Sequence, residues 1–190
     1  MHRGIALTLV MMSFLSWPSA VMAQNDVKER MDAARAAAMD FGKALLGELQ
    51  KAIAAGGAEN AIGVCNVEAP QIAADKSAEK HMTIRRTSLK LRQPDNKPDA
   101  WEIQQLQSFE RRKAAGENPA AIETGEYVEK DGRKVFRYMK AIPTGELCLN
   151  CHGSALKPDV AAKLKALYPA DAATGFKVGD LRGAFTITEP

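Results

Sequence analysis

From Val27 to Ile53, apolar side chains recur at Val27, Met31, Ala34, Ala38, Phe41, Leu45, Leu49 and Ile53. Lys28, Glu29, Arg30, Lys43, Glu48, Gln50 and Lys51 fill the positions between. Steps of three and four residues are the period of an amphipathic helix, which predicts one long helix here. The same stripe would serve as the side facing a domain core or as the seam of a homodimer through this helix. Gly56-Gly57 is the expected stop. A second helix is predicted from about Glu59, with Ile62, Cys65, Ala69 and Ile72 on one face, so Cys65 should point inward. Pro70 removes a backbone donor within that pattern and predicts a kink or break around Asn66–Pro70.

The period then changes. Met82-Thr83-Ile84-Arg85-Arg86-Thr87 reads as a short strand, and 92–99 as a loop of turn formers ending at Asp99. Asp99 is placed to cap a helix carrying Trp101, Ile103, Leu106 and Phe109 and ending near Gly116. Residues 121–129 and 133–142 are rich in strand formers and flank Lys130-Asp131-Gly132, a strong hairpin signal. Pro158 should open a short helix through Leu167, and residues 183–188 make a last strand after a turn at Gly179-Asp180. Helices first and a small antiparallel sheet afterwards define an α+β fold in one domain over 24–190.

Residues 1–23 change the setting. His2 and Arg3 precede an apolar run to Leu15, and Ser19-Ala20-Val21-Met22-Ala23 ends in small residues, the pattern of a secretory signal cleaved before Gln24. The run is shorter than the roughly 20 residues a spanning helix needs, so the processed chain is expected to be exported or periplasmic without a membrane span. Charge adds one exclusion. A net +3, with 26 basic and 23 acidic residues interleaved, lacks the concentrated basic footprint of a nucleic-acid binder.

Three cysteines are too few and too odd in number for a disulfide scaffold. Two of them stand in Cys148-Leu149-Asn150-Cys151-His152, the C-x-x-C-H spacing that lets two thiols on one turn add to the vinyl groups of a haem while the adjacent imidazole reaches iron. One covalent haem c is the expected cofactor. A redox C-x-x-C pair would want a preceding βαβ unit, and half of a zinc site would want a second pair; the sequence around the motif offers neither. For the iron position opposite His152 the candidates are Cys65, His81, Met31, Met39, Met82 and Met139, and spacing alone leaves them open.

Three further segments carry a resemblance: Ala61-Ile62-Gly63-Val64-Cys65-Asn66 continuing to Ala73; Ile84 to Lys90 with Asn96 to Glu102; and Leu147 to Gly153 with Gly179-Asp180-Leu181-Arg182-Gly183. Together they resemble the family of PAS-like c-type haem domains, over most of residues 27–188. The resemblance implies a PAS-like antiparallel sheet with long N-terminal helices, haem held by Cys148 and Cys151, and axial ligation by His152 and Cys65. Arg85, Arg86 and Arg92 are then candidates to pair with the propionates, and Phe136 and Tyr138 to pack on the macrocycle. Such a chain is expected to be no enzyme. It would carry single electrons at low potential to a redox partner protein or small carrier, or, alternatively, act as a redox- or ligand-responsive sensor through a partner.

Overall fold

The computed structural model describes residues 19–190, so most of the expected secretory signal lies outside the described residues. Helix α1 (Ser19–Gly63) is broken at Gly56 and Gly57, where the backbone leaves helical angles, as the glycine pair predicts. Its stripe faces the core: Ala34, Ala37, Ala38 and Phe41 are buried against Ile84, Phe136, Tyr138 and Ile187 of the sheet. Three alanines among these four residues let the helix axis lie close to the strands.

After α1 the chain takes a π-helical turn, Val64–Glu68, and enters α2 (Ala69–Lys80). The disturbance expected near Pro70 therefore takes the form of a widened turn. Pro70 is the second residue of α2, directly after the widened turn, and the helix runs on through it. His81 caps α2 in the left-handed conformation and is exposed.

Four antiparallel strands follow: β1 (Thr83–Thr87), β2 (Glu123–Lys130), β3 (Arg133–Pro143) and β4 (Leu181–Glu189), in the order β1-β4-β3-β2. Asp131 and Gly132, both at positive φ (52 and 71), join β2 to β3 in the tight turn their residue types predict. Helix α3 (Ala100–Ala114) begins with a capping box between Asp99 and Glu102 and covers the face of the sheet opposite α1, where Leu106 and Phe109 meet Ile122, Met139 and Ala141. A four-residue helix, α4 (Leu149–His152), and α5 (Pro158–Leu167) lie between β3 and β4. The architecture is α+β, with the PAS-like arrangement expected. Among the described residues no helix is long and apolar enough to cross a membrane.

One ion pair ties α1 to the far edge of the sheet and yields a pH prediction. Glu123 accepts from Arg35 Nε at 2.9 and 3.0 Å and from the Tyr138 hydroxyl at 2.7 Å. The Arg35 guanidinium, with Tyr138 and Lys140 assisting, holds the Glu123 carboxyl at about 2, against the cost of its burial. A carboxyl depressed in the folded state stabilises the fold above its ordinary range and loses that contribution as pH falls toward 2. Stability from this group should therefore be complete above pH ~4.5 and decline below it, by about 1–2 kcal/mol after allowance for solvent screening. Urea midpoints at pH 6, 4 and 2.5 should show a decline that is shallower in Glu123→Gln; equal slopes would contradict it.

Candidate functional site

The C-x-x-C-H segment occupies a short helical turn, and its position is set by backbone bonds to a later loop. The Phe176 amide donates to the His152 carbonyl at 2.9 Å, and the Gly175 amide to that of Gly153 at 3.1 Å. His152 Nδ1 lies 2.7 Å from the Ala173 carbonyl oxygen. A carbonyl only accepts, so Nδ1 carries the proton and Nε2 keeps its lone pair. Burial pushes the imidazole down to about 2, helped by the positive charges of Arg182, Arg92 and Arg86 and opposed by the Ala173 bond. His152 is thus neutral, oriented and a donor through Nε2, the state a metal-ligating histidine needs.

The two thiols of the motif differ. Cys148 Sγ accepts a 3.4 Å bond from the Gly145 amide, whereas Cys151 Sγ lies 3.8 Å from the Ala58 carbonyl of α1 and packs beside Ile62, Val160, Leu164 and Tyr168. Burial raises the Cys151 thiol. All three cysteines are free thiols.

Cys65 reaches the same place from the other end of the sequence. It sits in the π-helical turn, half-buried, within charge-interaction range of Cys151, Arg86, Tyr168 and Arg182. Its inward aspect agrees with the helical spacing of Ile62, Cys65 and Ala69. Burial raises Tyr168 to about 12, with the neighbouring Cys65 adding to the effect.

Strand geometry sorts the arginines. On β1 successive side chains alternate, so Arg86 lies on the α1 face, 5.9 Å over the Phe41 ring, and Arg85 on the α3 face. Arg85 donates to Glu102 at 3.0 and 3.1 Å, which corrects the expectation that it belongs to the site. Adjacent residues in a strand cannot share one face, and the buried carboxylate claims the one that points its way. Arg92 is at the site but committed: it pairs with Asp171 at 2.9 Å and donates to the Cys151 and Ala173 carbonyls. Phe136 and Tyr138 are fully buried in the α1–sheet core, with the Tyr138 hydroxyl on Glu123. Met139 is fully buried on the α3 face, and His81 is exposed beyond α2.

The residue that sequence reasoning missed is Arg182. Gly183 pairs with Ile142 and Leu181 with Pro143, so Arg182 is an extra residue, a bulge in β4. The bulge puts Leu181 into the α3-side core and Arg182 beside His152, with Nε at 3.2 Å from Nδ1 and 3.4 Å from Nε2. Gly183 is required there because a Cβ would run into the Thr87 carbonyl oxygen. The sequence signals were the glycine one residue after the arginine in a strand-forming run and the place of Arg182 in the Gly179–Gly183 segment that carries the resemblance.

Around His152 stand three guanidinium groups, Arg86, Arg92 and Arg182, and one paired carboxylate, Asp171. Neither Arg86 nor Arg182 has an ion-pair partner among the described residues. The site therefore combines a thiol pair, a neutral imidazole, a third thiol from the π-helical turn after α1, an apolar wall and an excess of positive charge.

Fold and site together define a PAS-like α+β domain in which the C-x-x-C-H turn lies against α1, with Cys65 and three arginines near His152. The family model described as Tll0287-like matches residues 18–190, and the chain belongs to that family. A solved structure described as that of the cyanobacterial haem-protein Tll0287 is similar over 92% of this chain and 97% of its own, with a TM-score of 0.59 and 23% identity. At that identity the likeness concerns the fold. Comparison with curated proteins gives no match.

Proposed function

We propose that this chain is an exported monohaem c-type protein that transfers single electrons at low potential. The observation that supports the reading is the oriented, neutral His152 next to two thiols, with the Cys65 thiol, remote in sequence, close to Cys151. Family membership supports it, since the related cyanobacterial protein is described as a haem-protein.

The residues fit haem on three counts. Cys148 and Cys151 would hold the vinyl positions, and Nε2 of His152 would give its lone pair to iron while Nδ1 stays on Ala173. Arg86 has no ion-pair partner among the described residues, which leaves its guanidinium for a propionate carboxylate. Ile62, Val160 and Leu164 supply an apolar wall. Cys65 would hold the iron together with His152. Haem, when bound, supplies reversible one-electron chemistry at iron. Iron held by both His152 and Cys65 would leave no position there for a substrate, and the chain would act as a carrier toward a redox partner protein or small redox carrier rather than as a catalyst. The π-helical turn under Cys65 favours a second reading, in which release of Cys65 reshapes the α1–α2 junction and a partner protein senses it.

Expression with haem-attachment machinery tests the reading. Intact mass should increase by one haem in the wild type, and Cys148→Ser with Cys151→Ser should abolish the covalent adduct. A wild-type chain without an adduct, or a double variant that still carries one, would contradict covalent attachment through these thiols.

A further inference from the structure

Building on the haem reading above, we propose that Arg182 is a positioning residue that raises the electron affinity of the site by holding a fixed positive charge against the His152 imidazole. Three observations place that charge. The bulge at Arg182 turns its side chain to the His152 side, and Gly183 makes the bulge sterically feasible. Nη1 is tethered by donating to Ser88 Oγ at 3.1 Å and to the Lys90 carbonyl at 3.3 Å, while Ser88 Oγ itself donates to the Arg182 carbonyl at 2.8 Å. Among the described residues no carboxylate forms an ion pair with this guanidinium, because Asp171 is paired with Arg92.

The tether leaves Nε facing both ring nitrogens of His152 at 3.2 and 3.4 Å. Two neighbours of the ring then act in opposite directions. The Ala173 carbonyl accepts the Nδ1 proton and makes the imidazole a stronger donor, which favours the oxidised metal. A cation at that range withdraws from the ring and favours the state that has gained an electron. A guanidinium stays protonated at neutral pH, so the charge is permanent. Arg86 and Arg92 differ in role: Arg86 lies over Phe41 and Arg92 is spent on Asp171 and two carbonyls.

The test is a potentiometric titration of haem-loaded wild type, Arg182→Gln, Arg182→Lys and Ser88→Ala, read by optical spectrum, with thermal unfolding alongside. Arg182→Gln should disfavour reduction about tenfold, which for one electron is about 59 mV. Arg182→Lys should keep most of the wild-type value, and Ser88→Ala, which removes a tether but no charge, should shift in the same direction by less. The oxidised spectrum should not change in any of them. A loaded Arg182→Gln with the wild-type potential overturns the proposal, and so does an Arg182→Gln that folds with wild-type stability yet takes no haem, which would make the residue one of attachment. If Arg182→Gln does not fold, a Ser88→Ala potential equal to wild type overturns it. A wild-type chain that takes up no haem overturns the underlying reading along with it, so the two failures are distinct.

Discussion

Cys65→Ala is expected to favour reduction of the haem-loaded protein by at least about tenfold and to open an iron position to added imidazole. Sulfur ligates as the thiolate, and an anionic ligand stabilises the oxidised metal, so its loss moves the equilibrium toward the reduced form. The sign is opposite to that expected for Arg182→Gln, although Cys65 and Arg182 are within charge-interaction range of one another. A general loosening of the site would move both variants the same way. Titration of the two against wild type, followed by imidazole binding to each, checks the pair. An unshifted Cys65→Ala potential with no imidazole uptake would remove Cys65 from the iron.

The largest loss of stability is expected from Glu102→Ala. Glu102 is 1% exposed on the α3 face and is fully engaged. It accepts from Arg85, from Arg137 at 3.1 Å, from the Thr186 hydroxyl at 2.8 Å and from the Asp99 amide at 2.9 Å. Removing it leaves the buried Arg137 with Asp99 as its ion-pair partner and the Trp101 ring 4.3 Å away, and its Nε has no hydrogen-bond partner among the described residues. Truncating one member of a buried ion cluster costs about 3–5 kcal/mol, because the remaining charge is uncompensated. The capping box at the start of α3 is lost as well. For a chain of this size the melting temperature should fall on the order of 10 °C. Urea denaturation gives the free energy directly, and a loss below about 1 kcal/mol would show that the cluster relaxes around the gap. The haem reading is unaffected by that result, since Glu102 lies across the sheet from His152.

Much of this fold was legible because each element carries its own local signal. Asp131-Gly132 fixed the hairpin, Asp99 with Glu102 the start of α3, and Gly56-Gly57 the break in α1. The alanine-rich stripe of α1 left two readings open, and the buried Ala34, Ala38 and Phe41 show that it meets the sheet. The Cys148–His152 turn was recognisable because all its residues are contiguous. What surrounds it was harder to read. Arg85 and Arg86 look alike in sequence, and only the direction of the strand's alternation, set by how β1 pairs with β4, sends one to Glu102 and the other to the site. Arg182 was hidden because a bulge reverses that alternation locally, and a bulge depends on the partner strand, which sequence spacing does not express. Pro70 announced a disturbance but not a π-helical turn, because a helix can absorb a missing donor either by breaking or by widening, and packing around it decides which.

The most direct test of the central claim is the electron paramagnetic resonance spectrum of the ferric wild-type protein recorded beside that of Cys65→Ala. The account predicts a low-spin thiolate–imidazole signal in the wild type that is lost in the variant. Identical spectra would place Cys65 in the core as an uncoordinated thiol and contradict His152–Cys65 ligation.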